Sequence, residues 1–259
     1  MFKIGVFDSG LGGLTVVKAL SEVIKGAELF YIADTKNAPY GEKTKEQILQ
    51  YSLDITDYLI KNHQIDALVV ACNTATSAAI KTLREKYPEL ILVGTEPAIK
   101  PAIEQTTSGK VGVLATPATL RGDKYQALVE KLSSTKKVAL FEQSCPGLVE
   151  HIENGTLETQ ESIALLKEWL LPMRNENVDT IVLGCTHYPL ASKAIKEIME
   201  REVNLLDSSK AIAQRLFMLL TKRGHKNEGA LQQTFYTTGN IDQKFVKNLV
   251  KNDIKLITL

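Results

Sequence analysis

The stretch Asp66-Ala67-Leu68-Val69-Val70-Ala71-Cys72-Asn73-Thr74 decides how this chain is read, because its pattern occurs twice. The second form is Asp179-Thr180-Ile181-Val182-Leu183-Gly184-Cys185-Thr186-His187, 113 residues further on. In each, a short apolar run stops at a cysteine that is followed by two polar residues. A run of this length reads as a strand buried on both faces, as in a parallel sheet. A second pair marks the same repeat. Lys3-Ile4-Gly5-Val6-Phe7-Asp8-Ser9 matches Lys110-Val111-Gly112-Val113-Leu114-Ala115-Thr116, 107 residues apart.

Working outward, similar apolar runs fall at 3–7, 29–33, 67–71, 91–93, 111–115, 138–141, 180–183 and 203–206. Helical periodicity lies between them, at 14–24, 46–60, 76–85, 120–132, 163–173, 191–199 and 211–220. This alternation predicts an α/β fold of two pseudo-symmetric, doubly wound parallel-sheet domains. Ligands of such sheets sit outside the carboxyl ends of the strands. Cys72 and Cys185 each fall there. If the halves face each other, the two thiols approach one ligand from opposite sides, with the active site between the domains.

Composition narrows the class. The chain has 259 residues, 31 Lys plus Arg against 30 Asp plus Glu, and a net charge of +1, so no basic excess points to nucleic acid. No apolar run approaches the ~20 residues of a membrane span. The first residues run straight into a strand pattern without a signal-peptide core, so the expected compartment is the cytoplasm. The cysteines are Cys72, Cys145 and Cys185, an odd and sparse set that is no disulfide framework.

Two strand-end cysteines are often core filler. Here each is followed by polar residues and opens a helix, whose free N–H groups lower a thiol's pKa and hold anions. His187, two residues after Cys185, is within reach as a base. Together they read as reactive thiols. A zinc site from Cys72, Cys185 and His187 lacks the usual four ligands and any C-x-x-C pair. Cys145-Pro146-Gly147 reads as structural, Trp169 as core, and His63, His151 and His225 as surface residues. Glu150 and Glu153 read as solvated residues on a helix.

The turn Asp8-Ser9-Gly10-Leu11-Gly12-Gly13 leaves two readings open. It stands where a phosphate loop would, with Asp34 placed like a ribose-binding acid, which suggests a nucleotide-binding module. Against that, Thr15 replaces the third glycine of the dinucleotide fingerprint, and Asp8 would repel a phosphate. The other reading makes Asp8 a general base, or an orienter of one. Ala38-Pro39-Tyr40-Gly41 is a turn, either on the surface or holding a ligand carboxylate through its N–H groups and the Tyr40 hydroxyl. Thr116 and Thr119 at the matching corner of the second half read as helix caps.

Taken together, the motifs resemble those of the glutamate racemases, in the cofactor-independent aspartate/glutamate racemase superfamily. The resembling blocks run from Gly5 to Gly13, then Pro39-Tyr40-Gly41, Ala71-Cys72-Asn73-Thr74-Ala75, Glu96-Pro97-Ala98, Gly184-Cys185-Thr186-His187-Tyr188-Pro189-Leu190 and Phe235-Tyr236-Thr237-Thr238-Gly239. The resemblance implies an isomerase that interconverts L- and D-glutamate without a cofactor, supplying D-glutamate for peptidoglycan and so for cell shape. It makes Cys72 and Cys185 the acid/base pair, assisted by Asp8 and His187 respectively, and assigns Cys72 to D-glutamate. Substrate contacts fall on Asp8, Ser9, Tyr40, Gly41, Asn73, Thr74, Thr186 and His187. Glu153, rather than Glu150, aligns with a supporting acid on the histidine side, within a segment that departs from the family pattern. The implied domains are 1–97 with 208–259, and 98–207, with no metal, no nucleic-acid or membrane partner, and a homodimer. Alternatives are an aspartate or related amino-acid racemase, the nucleotide module, and a thiol redox protein.

Overall fold

The structure, a computed structural model, describes residues 1–133, 138–241, 246 and 256–259. The chain divides into two compact units, Met1–Thr95 with Ser209–Leu259, and Glu96–Ser208.

The first unit begins with β1 (Phe2–Asp8), α1 (Leu14–Val23), β2 (Ala27–Ala33), α2 (Lys45–His63), β3 (Ala67–Val70), α3 (Asn73–Lys86) and β4 (Ile91–Gly94). The second carries α4 (Ile99–Gln105), β5 (Lys110–Ala115), α5 (Pro117–Leu120), α6 (Asp123–Ser133), β6 (Ala139–Ser144), α7 (Leu148–Glu153), α8 (Gln160–Asn175), β7 (Thr180–Gly184), α9 (Ser192–Met199) and β8 (Asn204–Leu206). The chain then returns to the first unit with α10 (Ser209–Lys222), β9 (Gln232–Thr237) and β10 (Leu256–Thr258).

The two sheets repeat one strand order. The first runs β10-β9-β2-β1-β3-β4 and the second β6-β5-β7-β8. Every pairing is parallel. The four-strand core β2-β1-β3-β4 thus corresponds to β6-β5-β7-β8, as the internal repeat requires. β9 and β10 extend the first sheet beyond β2; β9 begins on the polar residues Gln232 and Gln233, which hid it from an apolar-run reading.

Side-chain alternation sets the two layers of the first unit. Ile4 and Val6 of β1 pack with Leu14, Val17 and Leu20 of α1 and Leu216 of α10. Phe7 packs on the other side with Leu59 of α2 and Ile80 and Leu83 of α3. Each such side chain, fully buried, contributes about 1.5–3 kcal/mol. In the second unit, Val111, Val113 and Val182 pack against Ile99, Ile103 and Tyr125.

Local signals explain the element ends. A capping box of Thr44 and Gln47 starts α2, and Gln64, left-handed at φ 55°, ends it. The single helix expected over 120–132 is two helices, α5 and α6, interrupted at Arg121 and Gly122. Trp169 is buried, as core packing implies. His225 is buried too, 8% exposed and edge-on to Phe2, which corrects its surface reading. His63 is half-buried and stacked on Phe30 at 4.1 Å.

Candidate active site

Each unit carries half of the candidate constellation. In the first, β1 lies between β2 and β3, so the chain changes direction across the sheet at β1. Asp8 ends β1, and Cys72 lies two residues beyond the end of the neighbouring β3, after Ala71, whose N–H donates to Phe7 O at 2.9 Å. The carboxylate and the thiol therefore belong to one switch-point crevice, where ligands of open α/β sheets bind.

Cys72 is the N-cap of α3. Its Sγ accepts from the Ala75 N–H at 3.4 Å and stands 3.6 Å from Ser9 Oγ. A sulfur at a helix N-terminus is a better thiolate than an isolated one. Thr76 braces the corner, donating to Val70 O at 3.1 Å and accepting from the Thr95 N–H at 2.9 Å. Asn73 and Thr74, both buried, begin α3 beside the thiol. The Asn73 Nδ2 is buried with no hydrogen-bond partner among the described residues. A buried donor left unpaired costs about 1–3 kcal/mol, a cost that a ligand oxygen would remove.

The glycine turn closes on Asp8 instead of opening toward an anion. Asp8 is fully buried, and its Oδ2 accepts from Gly10 N at 3.2 Å and Gly13 N at 3.0 Å. The Tyr31 hydroxyl donates to Gly10 O at 2.7 Å. Gly13 is needed for space: a Cβ there would stand 2.6 Å from Asp8 Cβ. The amides that a phosphate loop would offer to its ligand are taken by the protein's own carboxylate.

Tyr40 opens a 3-10 turn that also contains Gly41 and Glu42. Its hydroxyl donates to Asp34 Oδ2 at 2.5 Å. Burial, then the Asp34 carboxylate, pushes the Tyr40 phenol far above its ordinary pKa, so it stays a donor. Asp34 also accepts from Asn37 and Thr238. The acid that a nucleotide reading would give to a ribose is engaged inside the fold.

In the second unit, Cys185 follows β7, and Thr186 and His187 lead into a 3-10 turn, Tyr188–Ala191, before α9. His187 is 1% exposed. Its Nδ1 lies 3.8 Å from Cys185 Sγ and 3.4 Å from Thr186 Oγ1. Its Nε2 lies 2.8 Å from Glu153 Oε1, at the end of α7. An ionised carboxylate only accepts, so Nε2 carries the hydrogen; in the neutral ring Nδ1 is then the acceptor facing the thiol. Glu153 is therefore half-buried and partnered, which corrects its reading as a solvated residue.

The two halves differ at the first strand. Under the repeat, Asp8 and Ser9 correspond to Ala115 and Thr116. Thr116 caps α5, accepting from the Thr119 N–H at 3.3 Å and donating to Thr119 Oγ1 at 2.9 Å. The second half thus has no acid at the end of its first strand; its carboxylate reaches the thiol's neighbour from α7.

Tyr188 anchors this corner. It is fully buried, and its hydroxyl donates to Cys145 O at 3.2 Å. Burial, then the nearby Cys185, pushes the Cys145 thiol well above its ordinary value, which fits the structural reading of Cys145. In the sequence, Asp34 carries no role beyond the nucleotide alternative and Thr238 none beyond its place in a resembling block. Their partners lie 6 and 204 residues away, at spacings that carry no helix or strand signal.

Residues 4–216 match the Asp/Glu/hydantoin racemase family. A glutamate racemase of Sulfurovum sp. (strain NBC37-1) is 62% identical over 248 residues, covering 96% of this chain and 94% of that protein. A crystal structure of a glutamate racemase from Bacillus anthracis superposes with a TM-score of 0.88 at 30% identity, covering 100% of this chain and 97% of the other. One from Francisella tularensis, solved in complex with D-glutamate, gives 0.83 at 28% identity, covering 100% and 97%.

Proposed function

The chain belongs to the Asp/Glu/hydantoin racemase family, and on that footing we propose that it interconverts L- and D-glutamate. The observation that carries the mechanism is the matched pair of thiols. Cys72 and Cys185 occupy equivalent strand ends of two repeats with one strand order.

Racemisation removes the α-proton from one face of the carbon and returns a proton to the other. Two bases serving opposite faces do this without turning the substrate over. Cys72 as thiolate takes the proton from the D-enantiomer; its S–H bond forms as the Cα–H bond breaks. The electron pair stays on the flattened carbon and its carboxylate while the Cys185 thiol delivers a proton to the opposite face. The L-enantiomer runs the sequence in reverse. A thiol's reference pKa of about 8.5 places it within tuning range of neutral pH.

An α-proton beside an ionised carboxylate is very weakly acidic, so preorganised donors are needed where charge develops. Asn73, Thr74, Thr186 and the amides at the start of α3 supply them, and the Tyr40–Gly41 turn holds a carboxylate. The unpaired Asn73 Nδ2 is the clearest open donor. Asp8 and Ser9 receive the ammonium group, and Asp8 assists Cys72. His187, oriented by Glu153, assists Cys185.

Family likeness supports a role in supplying D-glutamate for peptidoglycan and assembly as a homodimer. The need for two reduced thiols, and the absence of a disulfide at all three cysteines, fit a reducing cytoplasm. The test is to incubate the protein with L-glutamate and no added cofactor and to follow optical rotation. Loss of rotation supports the reading. Loss with aspartate alone would leave the mechanism and change the substrate. No change with either would remove the proposal.

A further inference from the structure

The first half-site is tied to the far end of its own unit. Thr238 directly follows β9, and its N–H donates to Ala33 O at 3.1 Å. Its hydroxyl donates to Asp34 Oδ1 at 2.6 Å and accepts from the Lys36 N–H at 3.1 Å. Asp34 is 1% exposed. Its other oxygen accepts from the Tyr40 hydroxyl at 2.5 Å, and Asn37 Nδ2 lies 3.1 and 3.0 Å from the two oxygens. The neighbouring hydroxyls of Thr35 and Thr237 pair at 2.7 Å. The approach is close enough that a Cβ on Gly239 would stand 3.0 Å from Lys36 N.

A buried carboxylate keeps one orientation only while its donors surround it. Here Asn37 and Tyr40 donate from the loop after β2, and Thr238 donates from β9. Tyr40 is 1% exposed and packs 5.7 Å from the Tyr51 ring. Moving the carboxylate would move this phenol and, through one peptide bond, Gly41.

We propose that Thr238 is a positioning residue for the reaction: by orienting Asp34 it fixes Tyr40 and thereby the Tyr40–Gly41 turn against the substrate. This rests on the racemase reading above, which gives that turn its contact. A merely structural Thr238 would hold the end of β9 on β2 and do nothing more. The two roles separate experimentally.

Thr238→Val keeps the shape and removes the hydroxyl; Thr238→Ser keeps the hydroxyl. Asp34→Asn, a second variant, perturbs the same hub from its centre. Two readouts are taken: KM and kcat for glutamate in both directions, and amide hydrogen exchange of unliganded protein at 40–43 and 232–237. We expect Thr238→Val to raise KM about five- to tenfold, the worth of one lost hydrogen bond. We expect kcat to change by less than about threefold, faster exchange at 40–43, and recovery in Thr238→Ser. Asp34→Asn should move both readouts the same way. Unchanged KM with unchanged exchange at 40–43 would overturn the proposal, whatever happens to β9 or the melting temperature. If the wild-type protein does not racemise glutamate but Thr238→Val still loosens 40–43, the racemase reading falls and Thr238's role in that reaction falls with it, while the Thr238–Asp34–Tyr40 linkage is retained.

Discussion

Glu153 Oε1 stands 2.8 Å from His187 Nε2, and the opposite ring nitrogen faces the Cys185 thiol at 3.8 Å. The carboxylate fixes both the tautomer and the direction of the ring, so the nitrogen toward sulfur is the one able to accept a proton. Glu153→Gln lets the ring flip or change tautomer. The expected result is a kcat lowered about tenfold or more in both directions with a smaller change in KM. Steady-state kinetics from each enantiomer check it. A wild-type kcat would mean that His187 needs no orienting partner.

Replacing either thiol should remove racemisation. Cys72→Ala and Cys185→Ala should each lose about a hundredfold or more in rate, measured by optical rotation from both enantiomers. Cys72→Ala also removes the acceptor for the Ala75 N–H, so α3 should lose up to about 1 kcal/mol of capping. Cys72→Ser keeps an acceptor there and should regain stability without regaining rate. Near-full activity in either Ala variant would end the two-base scheme.

Gly13→Ala tests the turn around Asp8. The added methyl would meet Asp8 Cβ at 2.6 Å and the Tyr31 hydroxyl at 2.9 Å. It should cost about 1–3 kcal/mol and should lower activity by displacing Asp8. Thermal unfolding and kinetics read the two effects. Wild-type values for both would show that the turn does not position the carboxylate.

Acid stability should depend on Asp179, at the start of the second repeat's defining stretch. Its carboxylate accepts from Thr106 Oγ1 at 2.6 Å, from Thr107 N and Oγ1 at 2.8 and 2.7 Å, and from Ser108 N at 2.7 Å. Burial works to raise its pKa, but these hydrogen bonds outweigh it and hold the carboxyl well below the usual range. A depressed folded-state pKa gives stability that is complete above the unfolded value of about 3.9 and is lost as pH falls through the folded value. Asp179→Asn should therefore lower stability at pH 7 by about 1–2 kcal/mol after allowing for partial exposure, read as a lower melting temperature, and by progressively less below pH 4. Equal losses at pH 7 and pH 3 would contradict this.

The repeat was legible because it is local. Spacings of 107 and 113 residues link runs whose apolar pattern needs nothing from the rest of the chain, and one strand order in two sheets follows. Cys72 and Cys185 were legible for the same reason: each directly follows its run or lies at most two residues beyond the strand end. Glu153 was not, because its partner lies 34 residues away and only the fold brings the two together. Alignment pointed to it, while its helical surroundings pointed to solvent. Asp34 was placed at its strand end, but its role depends on Tyr40 and Thr238, which no periodicity connects. The break between α5 and α6 was hidden because a continuous helical pattern ran through Arg121 and Gly122.

If two thiols serve opposite faces of one carbon, isotope from solvent enters the product and not the recovered substrate. The direct measurement is to begin with L-glutamate in D2O, stop the reaction early, separate the enantiomers, and determine deuterium at Cα in each. Deuterium is expected in the D-glutamate formed and protium in the L-glutamate recovered, because the proton removed and the proton delivered sit on different groups. The same pattern should hold from D-glutamate. Deuterium entering the recovered substrate as fast as the product, or protium carried over into the product, would show one base working both faces and would rule out a thiol on each.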